Sequence, residues 1–558
     1  MKTLLAIVIS ILFHLVAIGQ GNTSSPKLVV GIVVDQMRFD HLYKHQDKYG
    51  EGGFKRLLNE GYNFKNAHYN YSPTVTAAGH ASIYTGTTPS VHGMVGNSWF
   101  DRNLDRGVSN VGDSTATIVG SMEVNMRGVS PHRIMSTTIS DQLRMAYNYQ
   151  SKVISVSFKD RGAILPGGHT ANGAYWHDWQ TSNGYFVSSS HYMDSPPQWV
   201  VDFNESGKAS KYLDFVWNPV FPMERYPECT EDDVPYERTF GGKPTPTFPY
   251  EFNEYRKLSA GSSRAYQMLW VSPAGNSLLT DFAMEAITQE TLGADAIPDL
   301  INISYSVPDA AGHSFGPQSI EVADIYVRLD RELERLLNFL DERIGEDQYV
   351  LFLTSDHGVV PVASYLDANN LPTGIARITL FEDALNKYLK EKYGNKEWIQ
   401  NFDGANIYLN REIIREEKED LTEIQQAVAD FMMDQDGIYL ALTAHQLTFN
   451  EYRSGMRSML QNGFHYDRSG DVLLAFDPGY VQHGNPNIQV SQIKGTGHGT
   501  GWVYDTHIPI VWKGYGIPQG NSVRKVAITD IASTLAMILN LQLPSGNTGQ
   551  PLKELFNE

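Results

Sequence analysis

LINISYS (Leu300–Ser306), VADIYVRLDRELERLLNFLDERIG (Val322–Gly345) and YVLFLTSDHG (Tyr349–Gly358) follow one another in the chain, and their reading decides the fold. The outer two are short apolar runs with β-branched residues, the pattern of strands buried on both faces. Between them Ile325, Leu329, Leu333, Leu336, Leu337 and Leu340 recur at helical spacing and form one apolar stripe. Strand, long helix and strand make a βαβ unit, so the second strand runs parallel to the first. Working outward, KLVVGIVVDQ (Lys27–Gln36) and KVISVSF (Lys152–Phe158) read as further buried strands. HIPIVWKG (His507–Gly514) adds a late strand, and TDIASTLAMILNL (Thr529–Leu541) a helix with Thr529 or Asp530 as its cap. The prediction is an α/β protein, an αβα sandwich around a largely parallel central sheet.

Two regions break this alternation. Residues from about 165 to 291 hold stretches such as WHDWQTSNGYF and GGKPTPTFPYEF, which read as a loop-rich insertion, and residues from about 360 to 490 as a mixed second insertion. No internal repeat or low-complexity linker divides the chain, so residues 21–558 read as a single domain with insertions. Residues 1–20 read as a signal peptide: Lys2 precedes an apolar run from Leu4 to Ile18, with small residues Ala17 and Gly19 ahead of Gln20. That run falls short of the ~20 residues that span a bilayer, and His14 interrupts it, which argues against an anchor.

Lys and Arg number 44 against 63 Asp and Glu, a formal charge of −19 among 558 residues. Such a field repels nucleic acid and anionic membrane at long range, so an anionic ligand must be drawn in by local positive charge. Cys229 is the only cysteine. An internal disulfide and a multi-cysteine zinc site are therefore excluded, and a multi-ligand metal site must rest on histidines and carboxylates.

Ligands of α/β sheets bind where strands end. Asp35 ends the first strand, Asp309 and His313 follow the strand at Leu300, Asp356 and His357 follow YVLFLTS, and His498 stands in GTGHGTG. One such residue alone is usually a cap or a satisfied polar group; three carboxylates and three imidazoles at loop positions after strands are harder to dismiss. Oxygen and nitrogen ligands without sulfur suit Zn²⁺. Adjacent side chains of a regular strand point to opposite faces, so both Asp356 and His357 can turn to one metal only if the strand has ended, which Gly358 permits. Upstream, YSPTVTAAGHASIYTG (Tyr71–Gly86) offers three hydroxyls, Ser72, Thr74 and Thr76, at the start of a short helix, and residue physics alone does not choose among them.

The ordered blocks VVDQM, SPTVTAAGHASIYTGTTPSVHGMVGNSWF, SFKDRGA, PDAAGHSFGP, TSDHG and GTGHGT resemble the alkaline phosphatase superfamily, and most of all its secreted, monomeric PafA-type branch with a threonine nucleophile. The resemblance implies two Zn²⁺ ions, one held by Asp309, His313 and His498 and the other by Asp35, Asp356 and His357. It also implies that Thr76 is the nucleophile, and Asn97, Lys159 and Arg161 the groups that hold the substrate phosphate. A metal that lowers the pKa of bound water from ~15.7 to ~7 can likewise favour an alkoxide, and the helix starting near Thr76 aims backbone N–H groups at the same spot. Thr76 would be phosphorylated and water would then release phosphate.

Charge counting agrees with that assignment. Two Zn²⁺ ions are balanced by three carboxylates and one alkoxide, so a monoester dianion needs two further positive groups. Lys159 and Arg161, two residues apart directly after a strand, face one pocket if extended geometry continues there. Arg offers a bidentate fork and Lys a point charge. The chain departs from relatives in three places. Small Ala77 follows Thr76 where diesterases often carry a larger apolar residue. Cys229-Thr230-Glu231 is no sulfatase motif, and no Asp and Glu set for a third, Mg²⁺ site is identifiable, its place falling to Lys159. The expectation is a monomeric periplasmic enzyme of broad phosphate monoester range, with no nucleic-acid partner and no stable membrane anchor. The competing readings are a nucleotide pyrophosphatase or phosphodiesterase whose aromatic insertion stacks a base, and an inactive metal- or glycan-binding protein, against which the complete residue set stands.

Overall fold

The structure is a computed structural model describing residues 25–121, 127–178, 183–240, 243–258 and 265–556. The expected signal peptide at 1–20 lies outside them. The principal strands of the central sheet are β1 (Leu28–Val34), β2 (Tyr62–His68), β3 (Val153–Ser157), β4 (Gly173–His177), β5 (Phe186–Ser189), β6 (Asp299–Tyr305), β7 (Tyr349–Thr354) and β8 (His507–Gly514). Their order is β2-β8-β7-β1-β6-β3-β4-β5, with short strands completing both edges. The five central strands β7, β1, β6, β3 and β4 run parallel. β8 is antiparallel to both β7 and β2, and β5 is antiparallel to β4. The sheet is thus mixed and mostly parallel.

Every residue of β1 is buried, and its apolar side chains alternate between two cores. Leu28, Val30, Ile32 and Val34 join Leu278 and Phe282 of the helix Pro273–Gln289 and Leu329, Leu333 and Leu336 of the helix Ile320–Arg343. Val29 and Val33 join Ala78 and Ile83 of the helix Thr76–Thr85 and Ile531 and Leu535 of the helix Asp530–Leu539. A full strand of buried aliphatics, each worth about 1.5–3 kcal/mol, therefore fastens both helical layers. The α/β sandwich is as expected, and the helices that matter below are α1 (Thr76–Thr85), α2 (Asp160–Gly167), α3 (Val307–Phe315) and α4 (Ile320–Arg343).

The first expected insertion is less loop-like than its composition suggests. β4 and β5 lie within it and extend the central sheet, and the helix Pro273–Gln289 covers that sheet. The remainder is clasped to α4 by buried Asp324, which accepts from Trp217 Nε1 (2.7 Å), Val220 N (2.6 Å), Tyr226 OH (3.0 Å) and Arg328 Nε (2.7 Å). The second region builds a four-stranded sheet from Ile399–Phe402, Asn406–Leu409, Val472–Phe476 and Ile438–Thr443 with a core of its own, including Leu385, Trp398 and Val428. Among the described residues no helix is long and apolar enough to cross a membrane.

Candidate active site

The parallel strands deliver their C-terminal ends to one place. Asp35 follows β1, Lys159 follows β3, Asp309 lies in the first turn of α3 after β6, and Ser355 to His357 leave β7 at Thr354. The strand does end before Asp356, so Asp356 and His357 both turn inward. His313 comes from the last turn of α3 and His498 from the loop before β8.

All six residues expected to bind metal converge. One ligand atom each from Asp309, His313 and His498 lies within 4.8 Å of the others, as does one each from Asp35, Asp309 and His357. Asp356 completes the cluster with Oδ2 at 3.5 Å from His357 Nε2. The rings of His357 and His498 stack with centroids 3.5 Å apart, which sets the two groups side by side. Each histidine donates its Nδ1–H to a carbonyl: His313 to Thr496 O (2.7 Å), His357 to Gly358 O (2.9 Å), His498 to Thr74 O (2.8 Å). Those bonds select the tautomer that turns an Nε2 lone pair to the centre, the arrangement of metal-ligating histidines.

Electrostatics also fits cations there. Asp35 and Asp356 are wholly buried and Asp309 nearly so, against the single buried ammonium of Lys159. Burial, then the neighbouring charge of Asp309, pushes Asp35 up to about 6. Burial and the charge of Asp35 push Asp356 far above the carboxylate range. His498 falls to about 3 on burial, and burial likewise keeps His357 neutral. Asp35 Oδ1, Asp356 Oδ2 and His357 Nε2 are buried without a hydrogen-bond partner. Buried acceptors of this kind are costly unless a cation meets them, and hard oxygen with imidazole nitrogen suits Zn²⁺.

The structure separates the three candidate hydroxyls. Ser72 Oγ donates to Gly499 O (3.4 Å) and Thr74 Oγ1 to Thr500 O (2.8 Å), both tying down the loop that carries His498. Thr76, the first residue of α1, is buried and accepts from Lys159 Nζ at 3.3 Å. The same ammonium donates to Asp35 Oδ2 (2.6 Å) and Asp309 Oδ2 (2.5 Å). Burial opposes its charge, but Asp309 and Asp35 outweigh burial and hold Lys159 above its ordinary value.

Two expectations about this end of the site change. The N–H of Ala77 at the start of α1 donates to Asn97 Oδ1 (3.0 Å), so Asn97 takes up a backbone donor that was expected to face phosphate. Extended geometry does not continue past Lys159: α2 begins at Asp160, Lys159 is its extended N-cap and Arg161 lies in its first turn. Both side chains nevertheless line one cavity of about 420 Å³ together with Phe158, Trp176 and Trp270.

Three neighbours had no role in the sequence reading. Gln36 donates from its backbone N to Asp356 Oδ1 (3.1 Å) and from Nε2 to Asp309 Oδ1 (2.6 Å). His80, one helical turn after Thr76 in TAAGH, donates from Nδ1 to Thr76 O (2.9 Å), has Asp356 Oδ2 at 3.4 Å, and accepts from Ser304 Oγ (2.9 Å). Its i,i+4 spacing from Thr76 was the available signal. Buried Asp505 accepts from the N–H groups of Gly499 (3.1 Å) and Thr500 (2.7 Å) and braces the His498 loop.

Comparison with known proteins agrees with this geometry. Residues 29–507 match the family described as Type I phosphodiesterase / nucleotide pyrophosphatase. The chain is 42% identical to alkaline phosphatase PhoV of Synechococcus elongatus, over 96% of this chain and 94% of that protein. It is 38% identical to alkaline phosphatase PafA of Elizabethkingia meningoseptica, over 95% and 94%. The crystal structure of wild-type PafA superposes with a TM-score of 0.87 at 37% identity, covering 96% of this chain and 99% of that one. The chain belongs to the type I phosphodiesterase and nucleotide pyrophosphatase family of the alkaline phosphatase superfamily.

Proposed function

We propose that this chain is an alkaline phosphatase: it hydrolyses small phosphate monoesters through a phosphothreonine at Thr76, with two Zn²⁺ ions as cofactors. The observation that carries the reading is Thr76 Oγ1 at 3.3 Å from the Lys159 ammonium, beside buried carboxylate and imidazole atoms without protein partners. The end-to-end likeness to PhoV and PafA supports it. Asp309, His313 and His498 would hold one zinc, and Asp35, Asp356 and His357 the other. Such ions supply Lewis acidity and lower the pKa of a coordinated hydroxyl.

The chain's own residues do the rest. Thr76 is fixed by α1 and by the His80 bond to its carbonyl, and Lys159 Nζ meets its hydroxyl, so that hydroxyl is oriented before substrate arrives. Thr76 Oγ1 forms a bond to phosphorus as the ester P–O bond breaks; the threonine proton passes to solvent, and the departing alkoxide takes a proton from water. Water then cleaves the Oγ1–P bond and frees inorganic phosphate. Lys159 contributes a point charge, Arg161 a planar fork and Asn97 neutral donors to the equatorial oxygens. A dianion gains more from two cations than a diester monoanion does. We further propose that the enzyme is secreted by its leader, probed by N-terminal sequencing of the mature protein, and that it works as a monomer.

Parallel assay of p-nitrophenyl phosphate and its bis ester tests the assignment. The monoester should be preferred, and Arg161→Ala should lower monoester kcat/KM at least about tenfold more than diester kcat/KM, the scale of one lost charged hydrogen bond. A diester preference would favour the second reading, a phosphodiesterase, to which the matching family lends its name.

A further inference from the structure

We propose that Gln36 is a positioning residue that joins the two metal half-sites and sets their zinc affinity; this rests on the two-zinc reading above. Gln36 is the residue after Asp35, 3% exposed, at a backbone φ of 67°. That left-handed turn is unfavourable for a residue with a Cβ. It breaks the alternation of β1, so that neighbouring Asp35 and Gln36 both face the centre rather than opposite sides of the sheet.

What the turn achieves is a bridge. The Gln36 backbone N–H holds Asp356 Oδ1, from the Asp35–Asp356–His357 group, while the side-chain Nε2 holds Asp309 Oδ1, from the Asp309–His313–His498 group. Asp309 is thereby gripped at both oxygens, by Gln36 on Oδ1 and by Lys159 on Oδ2. The two grips differ in kind. A lysine brings positive charge that competes with a cation for the carboxylate, whereas an amide orients the carboxylate and leaves its charge intact. The facing helix makes room for this amide: a methyl group on Gly312 of α3 would overlap Gln36 Oε1. A residue whose main chain serves one half-site and whose side chain serves the other links their geometries, and outer partners of metal ligands commonly change metal affinity by about 10–100-fold.

The test uses zinc itself as the probe. Wild type, Gln36→Met (similar volume, no donor) and Gln36→Asn (a donor too short to reach Asp309) are equilibrated across buffered free Zn²⁺. Zinc per chain is read by mass spectrometry, and the urea midpoint of each metal-free protein is measured alongside. Both variants should bind their zinc about 10–100-fold more weakly than wild type, with metal-free midpoints unchanged. Excess zinc should restore much of the turnover of p-nitrophenyl phosphate. Wild-type zinc affinity in both variants overturns the proposal, and so does a lowered metal-free midpoint with unchanged affinity, which would make Gln36 a packing residue. Wild type that takes up no zinc instead removes the two-zinc reading.

Discussion

At Thr76 the local and the distant sequence meet. The threonine begins a helix, but its surroundings, Lys159 with the aspartate pair Asp35 and Asp309 and the loop of Asn97, come from four other parts of the chain. Thr76→Ala should keep zinc content and fold while removing the acid-stable phosphoryl-enzyme seen by intact mass after quenching, and should lower monoester turnover by several orders of magnitude. A phosphorylated Thr76→Ala protein would show that another residue is the nucleophile. Gly79 is a second critical position, because a Cβ there would strike the main-chain carbonyl of Asp356. Alanine gains up to about 1 kcal/mol of helix propensity over glycine, yet overpacking a tight contact costs about 1–3 kcal/mol. The clash wins, so Gly79→Ala should lower the urea midpoint and the zinc content together; a stabilised variant would refute the close approach.

Elements were readable to different degrees, for physical reasons. β1, β6 and β7 announce themselves because strands buried on both faces need unbroken β-branched runs. β2 does not: in YNFKNAH the buried residues are irregularly placed, so no period-two signal survives. KDRG could have continued as a strand or begun a helix; it begins one, and only tertiary contact of Lys159 with two aspartates shows why. The six candidate ligands could be picked out because most of them follow strands, whereas Thr76 was singled out among three hydroxyls only by the family resemblance. Gln36 was not, since an amide after a strand carries no signal until both its partners are in place. Asp324 is the corresponding feature of the insertion. Removing its carboxylate leaves Trp217, Val220, Tyr226 and Arg328 donors without their acceptor. Asp324→Ala should cost roughly 3 kcal/mol or more in chemical denaturation and speed proteolysis between residues 216 and 250. Wild-type resistance would mean that packing alone seats this segment.

Across the whole molecule, buried acids link stability to pH. Glu237 is fully buried with neither carboxyl oxygen hydrogen-bonded, and burial together with the charge of Glu321 pushes it far above the carboxylate range. Burial likewise raises Glu321, to about 8. In the unfolded chain both titrate near the ordinary 4.5, so between these limits the native state holds more protons. The stability this pair contributes is then full below about 4.5 and is lost as the pH rises through about 8 and beyond, the opposite of a salt-bridged carboxylate. On zinc-loaded protein, Glu237→Gln should shrink the loss of Tm between pH 6 and pH 9. Identical slopes in variant and wild type would mean that Glu237 is not held neutral.

The strand order also governs when the enzyme can exist. β8, drawn from the last tenth of the chain, lies between β7 and β2, and the loop just ahead of it brings His498. A nascent polypeptide leaving the ribosome therefore has a gap in its sheet and one imidazole missing from its centre until this late strand has emerged. Translation products that stop short of residue 498 should be catalytically silent, however well their earlier parts fold.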